Sequence, residues 1–105
     1  MKVRPKKEWL AALRSGEYTQ GIGSLHWGDG RMCCLGVLID ATQDGEWRYD
    51  ERHGAYRFND AGGMPTNTVL NAVGLDRLDA SWLSVMNDSK RWSFAAIADW
   101  IEENL

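Results

Sequence analysis

Met32-Cys33-Cys34-Leu35-Gly36-Val37-Leu38-Ile39 is the longest uncharged, almost wholly apolar run in the chain. Its length is far short of the roughly 20 residues that span a bilayer. It suits an element buried on all sides, and periodicity alone does not separate a buried helix from a buried strand. The flanks favour a helix. Asp29-Gly30 supplies a turn before the run and Gln43-Asp44-Gly45 a stop after it. A helix from Cys33 or Cys34 to about Thr42 is therefore expected, and the other elements must cover it.

The 105 residues that surround this run make one domain, 1–105, with residues 1–5 a candidate mobile basic arm. A chain of this length buries well over half of its unfolded surface without staples. Six Trp residues could supply much of the core, with one or two left exposed as binding anchors. The net charge of −3 argues against a general nucleic-acid binder, which needs a basic surface. The two cysteines are adjacent, so no disulfide framework exists, and no apolar signal segment follows the basic start. A reducing cytoplasm fits both facts. No CxxC or HxxxH spacing accompanies the thiols, and neither a metal nor a cofactor is expected.

Upstream of the run, Pro5 to Ser15 predicts a helix with Trp9, Leu10 and Leu13 on one face and Gly16 as its left-handed terminator. Leu25-His26-Trp27 and Arg31-Met32-Cys33 flank Gly28-Asp29-Gly30 as a hairpin that feeds the central helix. Downstream, Trp47 and Tyr49 alternate on one strand, and Tyr56 and Phe58 on the next. Pairing Trp47 with Phe58 and Tyr49 with Tyr56 puts all four rings on one face, with Arg48 and Arg57 on the other. Pro65-Thr66 opens a short helix, Asn67 to Val73, closed by Gly74. From Asp76 to Asp88, Leu78, Trp82, Val85 and Met86 fall in a row at helical spacing. They predict a helix capped by Asp79, a strand through Trp82–Met86 being the rival. Ser93 caps a final helix from Phe94 to about Asn104, with Phe94, Ile97, Ala98, Ile101 and Leu105 as its stripe. The fold class is α+β: a small antiparallel sheet from two hairpins packed against N-terminal, central and C-terminal helices.

Two places could carry chemistry. A thiolate of Cys33 or Cys34 at a helix N-terminus would have a lowered pKa, and His26, on the neighbouring strand, is the available base. Against this, free Cys is among the most buried residue types, and a core role is the stronger reading. The second place is Asn87-Asp88-Ser89 before the last helix. Asx residues at such junctions fix turns; with Tyr18 and Gln20 they could also line a binding pocket. No carboxylate pair, P-loop, GxSxG or HExxH pattern stands out.

Four groups of residues resemble a family of small uncharacterised proteins of bacteriophages and bacterial genomes. They are Trp9…Leu13-x-Ser15-Gly16-x-Tyr18-x-Gln20…Gly23-x-Leu25, Cys33-Cys34-Leu35-Gly36-Val37-Leu38, Leu83-x-x-Met86-Asn87-Asp88 and Phe94-x-x-Ile97-Ala98-Asp99-x-Ile101-Glu102. The resemblance carries no established activity. It implies a small cytoplasmic accessory protein of phage or prophage type, one that binds a host or phage protein and could inhibit a host or defence factor. The expected function is therefore non-enzymatic protein binding, with Tyr18, Gln20, Trp27, Asn87, Asp88 and Trp100 as candidate contact residues. The alternatives are a nucleotide-type small-ligand binder or sponge, and a Cys-dependent hydrolase or transferase. Neither nucleic acid nor a membrane is an expected partner.

Overall fold

In a computed structural model, which describes residues 1–105, the central run is buried from Met32 to Ile39. Its helical part is Cys34–Thr42, here α2 in chain order. Because α2 is apolar on every side, it needs cover on every side. The cover comes from α1 (Val3–Arg14), α3 (Asn67–Val73), α4 (Arg77–Asp88), α5 (Phe94–Asn104) and a sheet of β1 (His26–Trp27), β2 (Arg48–Asp50) and β3 (Ala55–Arg57). The architecture is α+β, as read from the sequence.

Gly36 explains why the run reads Cys-Cys-Leu-Gly. The Leu25 backbone passes so close to α2 that a Cβ at Gly36 would sit 1.9 Å from the Leu25 carbonyl oxygen. The same carbonyl accepts a hydrogen bond from Cys33 N–H at 3.3 Å. Trp9, fully buried, crosses from α1 and donates its indole N–H to the Cys34 carbonyl at 2.9 Å. Leu13 packs beside it, while Ile97, Ala98 and Ile101 of α5 close the far side of the core. On the outside, Arg14 ties α1 to α5 through Asp99 at 2.9 Å and Glu102 at 3.1 Å.

The helix ends follow their sequences. Gly16 has φ 76 after α1. Thr66 and Ser93 each accept a backbone N–H with their side chains and cap α3 and α5, and Gly74 ends α3 in the left-handed region. Two expectations shift. Helix α1 starts at Val3 rather than Pro5, and residues 1–5 are not a loose arm, since Lys2 N–H donates to the Val73 carbonyl at 2.9 Å. Asp76 caps α4, accepting from Leu78 N–H, and Asp79 lies in the first turn.

The sheet order is β1-β3-β2, antiparallel throughout. Tyr49 pairs with Tyr56 and Arg48 with Arg57, the register expected from the aromatic alternation. The Trp47 and Phe58 rings meet at 5.4 Å and those of Tyr49 and Tyr56 at 5.2 Å. His26 joins this layer, stacked on Tyr56 at 4.4 Å and edge-on to Trp47 at 4.9 Å. The first hairpin is smaller than expected. Its return limb makes a single bridge, His26 to Met32, because the chain turns into α2 at once.

The larger correction concerns α4. It is a helix throughout, not a strand, but its buried face is Ala80, Leu83, Met86 and Asn87. Of the apolar row Leu78, Trp82, Val85 and Met86, only Met86 points inward; Leu78 is 81% exposed, and Trp82 and Val85 are each 39% exposed.

Candidate functional site

The vicinal thiols lie where the sequence puts them, with Cys33 the N-cap and Cys34 the first residue of α2. Their chemistry is the reverse of an activated nucleophile. Both are buried, and burial pushes the Cys33 thiol up to about 11 and the Cys34 thiol well above its ordinary value. Desolvation outweighs the backbone N–H groups that would stabilise a thiolate. Cys34 Sγ sits 3.6 Å from the Leu83 carbonyl oxygen. His26 serves the aromatic layer; burial lowers its pKa, and its Nδ1 is buried without a hydrogen-bond partner.

Gln20, Asn87 and Asp88 are brought together, but into a closed joint rather than an open pocket. Asn87 is 1% exposed. Its Oδ1 accepts from Gln20 Nε2 at 2.9 Å and from Cys34 N–H at 3.1 Å. Its Nδ2 donates to the Gly21 carbonyl and to Asp88 Oδ1, both at 2.8 Å. Gln20 Nε2 also reaches the Trp92 carbonyl at 2.7 Å, and Asp88 Oδ1 accepts from Gly23 N–H at 3.1 Å. Thus α4 supplies the side chain that caps α2, the Asn87 amide ties α2 to the loop at Gln20-Gly21, and Gln20 carries the link on to the α4–α5 turn at Trp92. Spacing could not reveal it, since Gln20 and Asn87 are 67 residues apart.

The other candidate contact residues are dispersed. The Tyr18 hydroxyl donates to Asp40 Oδ2 at 2.6 Å. Burial, then this bond, raises the Tyr18 pKa to about 12. Trp27 donates its indole N–H to the Ile22 carbonyl at 2.9 Å, with the Arg31 guanidinium 5.8 Å from the ring centre. Trp100 is half-buried against the core.

Two surface features remain. One is the outer row of α4, Leu78, Trp82 and Val85, with Lys90 Nζ 5.6 Å over the Trp82 ring. The other is a cleft of about 240 Å³ between the β2–β3 hairpin and the loops at Gly23-Ser24 and Gly62-Gly63. The sequence carried the first as a helical row, without its direction. It held no signal for the second, whose walls come from three separate stretches.

A family model described as "Domain of unknown function (DUF8296)" matches residues 1–81. The chain belongs to this family. No curated protein and no solved structure matches it. The stretch matched by the DUF8296 model includes α1, α2, α3 and the whole sheet but ends inside α4. Asn87, which caps α2, and the α5 residues that close the core lie beyond it. The DUF8296 stretch of this chain is thus completed by its last 24 residues, since 105 less 81 is 24. No helix is long and apolar enough to cross a membrane.

Proposed function

We propose that this protein acts without catalysis, by seating the outer face of α4 in an apolar groove of a partner protein. The observation that carries the reading is the exposed row Leu78, Trp82 and Val85, at i, i+4 and i+7 on one helix. That spacing is the one by which helices anchor in grooves, and Trp is the residue type most enriched among binding hot spots. Lys90 and Arg91 stand exposed just after the row, so the groove it fits has an acidic rim at that end. The row offers a few hundred Å² at most, against about 800 Å² per side for a standard interface. A groove that wraps the helix suits it better than a flat pairing with a second copy. The sealed, pKa-raised thiols favour binding over Cys chemistry. In this reading the partner is a host or phage protein of a bacterial cytoplasm, such as a defence factor, in line with the resemblance to small phage proteins.

The test is capture of partners from a bacterial lysate by wild type and by the double variant Leu78→Lys, Trp82→Ser. The captured protein is then purified and titrated. The expected result is a Kd weakened at least about 100-fold, equivalent to 2.7 kcal/mol, with thermal stability little changed. A variant that is folded and binds the same protein with wild-type affinity would overturn the reading.

A further inference from the structure

The cleft beside the β2–β3 hairpin has a polar inventory that the α4 row does not use, and it is read independently of that row. Asp50, Tyr56, Arg57, His53 and Ser24 line it, together with glycines from two loops. Asp50 is its only carboxylate, and both of its oxygens are engaged. Its Oδ1 accepts from Arg52 N–H at 3.0 Å, and its Oδ2 meets His53 Nδ1 at 2.8 Å and Arg57 Nη1 at 3.3 Å. The His53 bond, then Arg57, holds this carboxyl below its usual range, so it is a fixed anion.

Arg57 is clamped from two sides. Its Nε donates to the Asp60 carbonyl at 3.0 Å and its Nη2 to the same oxygen, while Nη1 is held by Asp50. Asn59 and Asp60 both adopt left-handed backbone, φ 51 and 64, which costs energy for residues other than Gly and turns the Asp60 carbonyl onto the guanidinium. A guanidinium has five N–H donors. Three are used here, so one on each terminal nitrogen remains, in a plane already fixed. The Gly62 and Gly63 N–H groups and the Ser24 hydroxyl make no hydrogen bond within the chain. Five spare donors thus gather around one cleft. The Ser24 hydroxyl does not bond His53, whose Nδ1 is turned to Asp50 instead.

We propose that this cleft binds a small phosphate monoester, with its phosphate on Arg57, Ser24 and the Gly62-Gly63 N–H groups. Five donors exceed the roughly four lone-pair positions of a carboxylate and suit the three terminal oxygens of a phosphate. His53 contributes through Nε2, the nitrogen that Asp50 leaves free. Nε2 is within the same cleft wall and can hydrogen-bond a phosphate oxygen or a P–OH. The volume of about 240 Å³ admits a phosphate with a sugar-sized body.

The test titrates the full chain with ribose 5-phosphate, inorganic phosphate and acetate, reading side-chain NMR signals of His53 and Arg57 and the heat of binding. Ribose 5-phosphate is expected to bind at least 10-fold tighter than acetate and to shift both residues. Arg57→Gln should weaken it at least 30-fold and Ser24→Ala about 3- to 10-fold, while Leu78→Lys leaves it unchanged. Ser24→Ala keeps the result decisive if Arg57→Gln loosens the hairpin. The proposal fails if 20 mM ribose 5-phosphate moves neither residue, if acetate binds as tightly, or if folded Ser24→Ala binds like wild type.

Discussion

Asn87 uses two acceptor and two donor positions at once, reaching Gln20 and Gly21 of one loop, Cys34 at the start of α2 and its own neighbour Asp88. Removing that amide strands the buried Cys34 N–H and Gly21 carbonyl, at about 1–3 kcal/mol per unsatisfied group, and leaves Gln20 only its bond to the Trp92 carbonyl. Asn87→Ala is therefore expected to cost about 3 kcal/mol or more in urea unfolding. Asn87→Asp is nearly isosteric but should do no better, because it turns a carboxylate oxygen toward the Gly21 carbonyl and Asp88. A cost under about 1 kcal/mol for both would show that the joint contributes little. Gly36→Ala is expected to be still more damaging, since its Cβ meets backbone rather than a movable side chain. Failure to express a folded protein, or a melting temperature lower by 10 °C or more, is the expected readout. Gly36 was legible as part of a distinctive run but not as a contact. A sequence shows that a residue is small; it does not show which strand passes over it.

Helix α4 carries two rows at helical spacing, and apolarity alone selects the wrong one. Leu78, Trp82, Val85 and Met86 make the greasier row, whereas the inner face uses a small residue, Ala80, and an amide, Asn87. Ala80 permits close approach to the core, and Asn87 is needed at the α2 N-terminus, so packing and hydrogen bonding override hydropathy. The contrast is measurable. Leu83→Ala should cost about 2–4 kcal/mol through a core cavity, while Leu78→Ala should stay within about 0.5 kcal/mol. The reverse order, in chemical denaturation, would return the helix to the orientation hydropathy suggests. Elsewhere the elements were readable because each carried its own local signal. Thr66 and Ser93 announced helix starts, Gly16 and Gly74 ends, and the Trp-Tyr-Tyr-Phe alternation fixed the hairpin register. The cleft was not readable, because no single segment contains it.

Across the whole molecule, titration links the core to stability at both ends of the pH scale. Cys33 rises from its ordinary value near 9 to about 11, and Tyr18 from about 10 to about 12. Native structure favours their protonated forms, so their contribution is complete below pH 9 and is lost as pH climbs through 9–12. The lowered His26 and Asp50 act in the opposite sense. The His26 contribution is complete above about pH 6.5 and fades as pH falls below it; that of Asp50 fades below about pH 4. Melting temperature against pH should be flat from about 7 to 9 and fall on both sides. Cys33→Ala should soften the alkaline fall, and an unchanged alkaline limb would show that the thiol is not its source.

The position of Trp9 gives the chain a built-in optical gauge. Of six indoles it is the one with no exposure at all, fastened to the Cys34 carbonyl between two helices. Its emission should lie to the blue of the other five and move red only when α1 leaves α2. With the other five indoles replaced by Phe, fluorescence would follow the opening of the molecule's centre, separately from anything that happens on its rim.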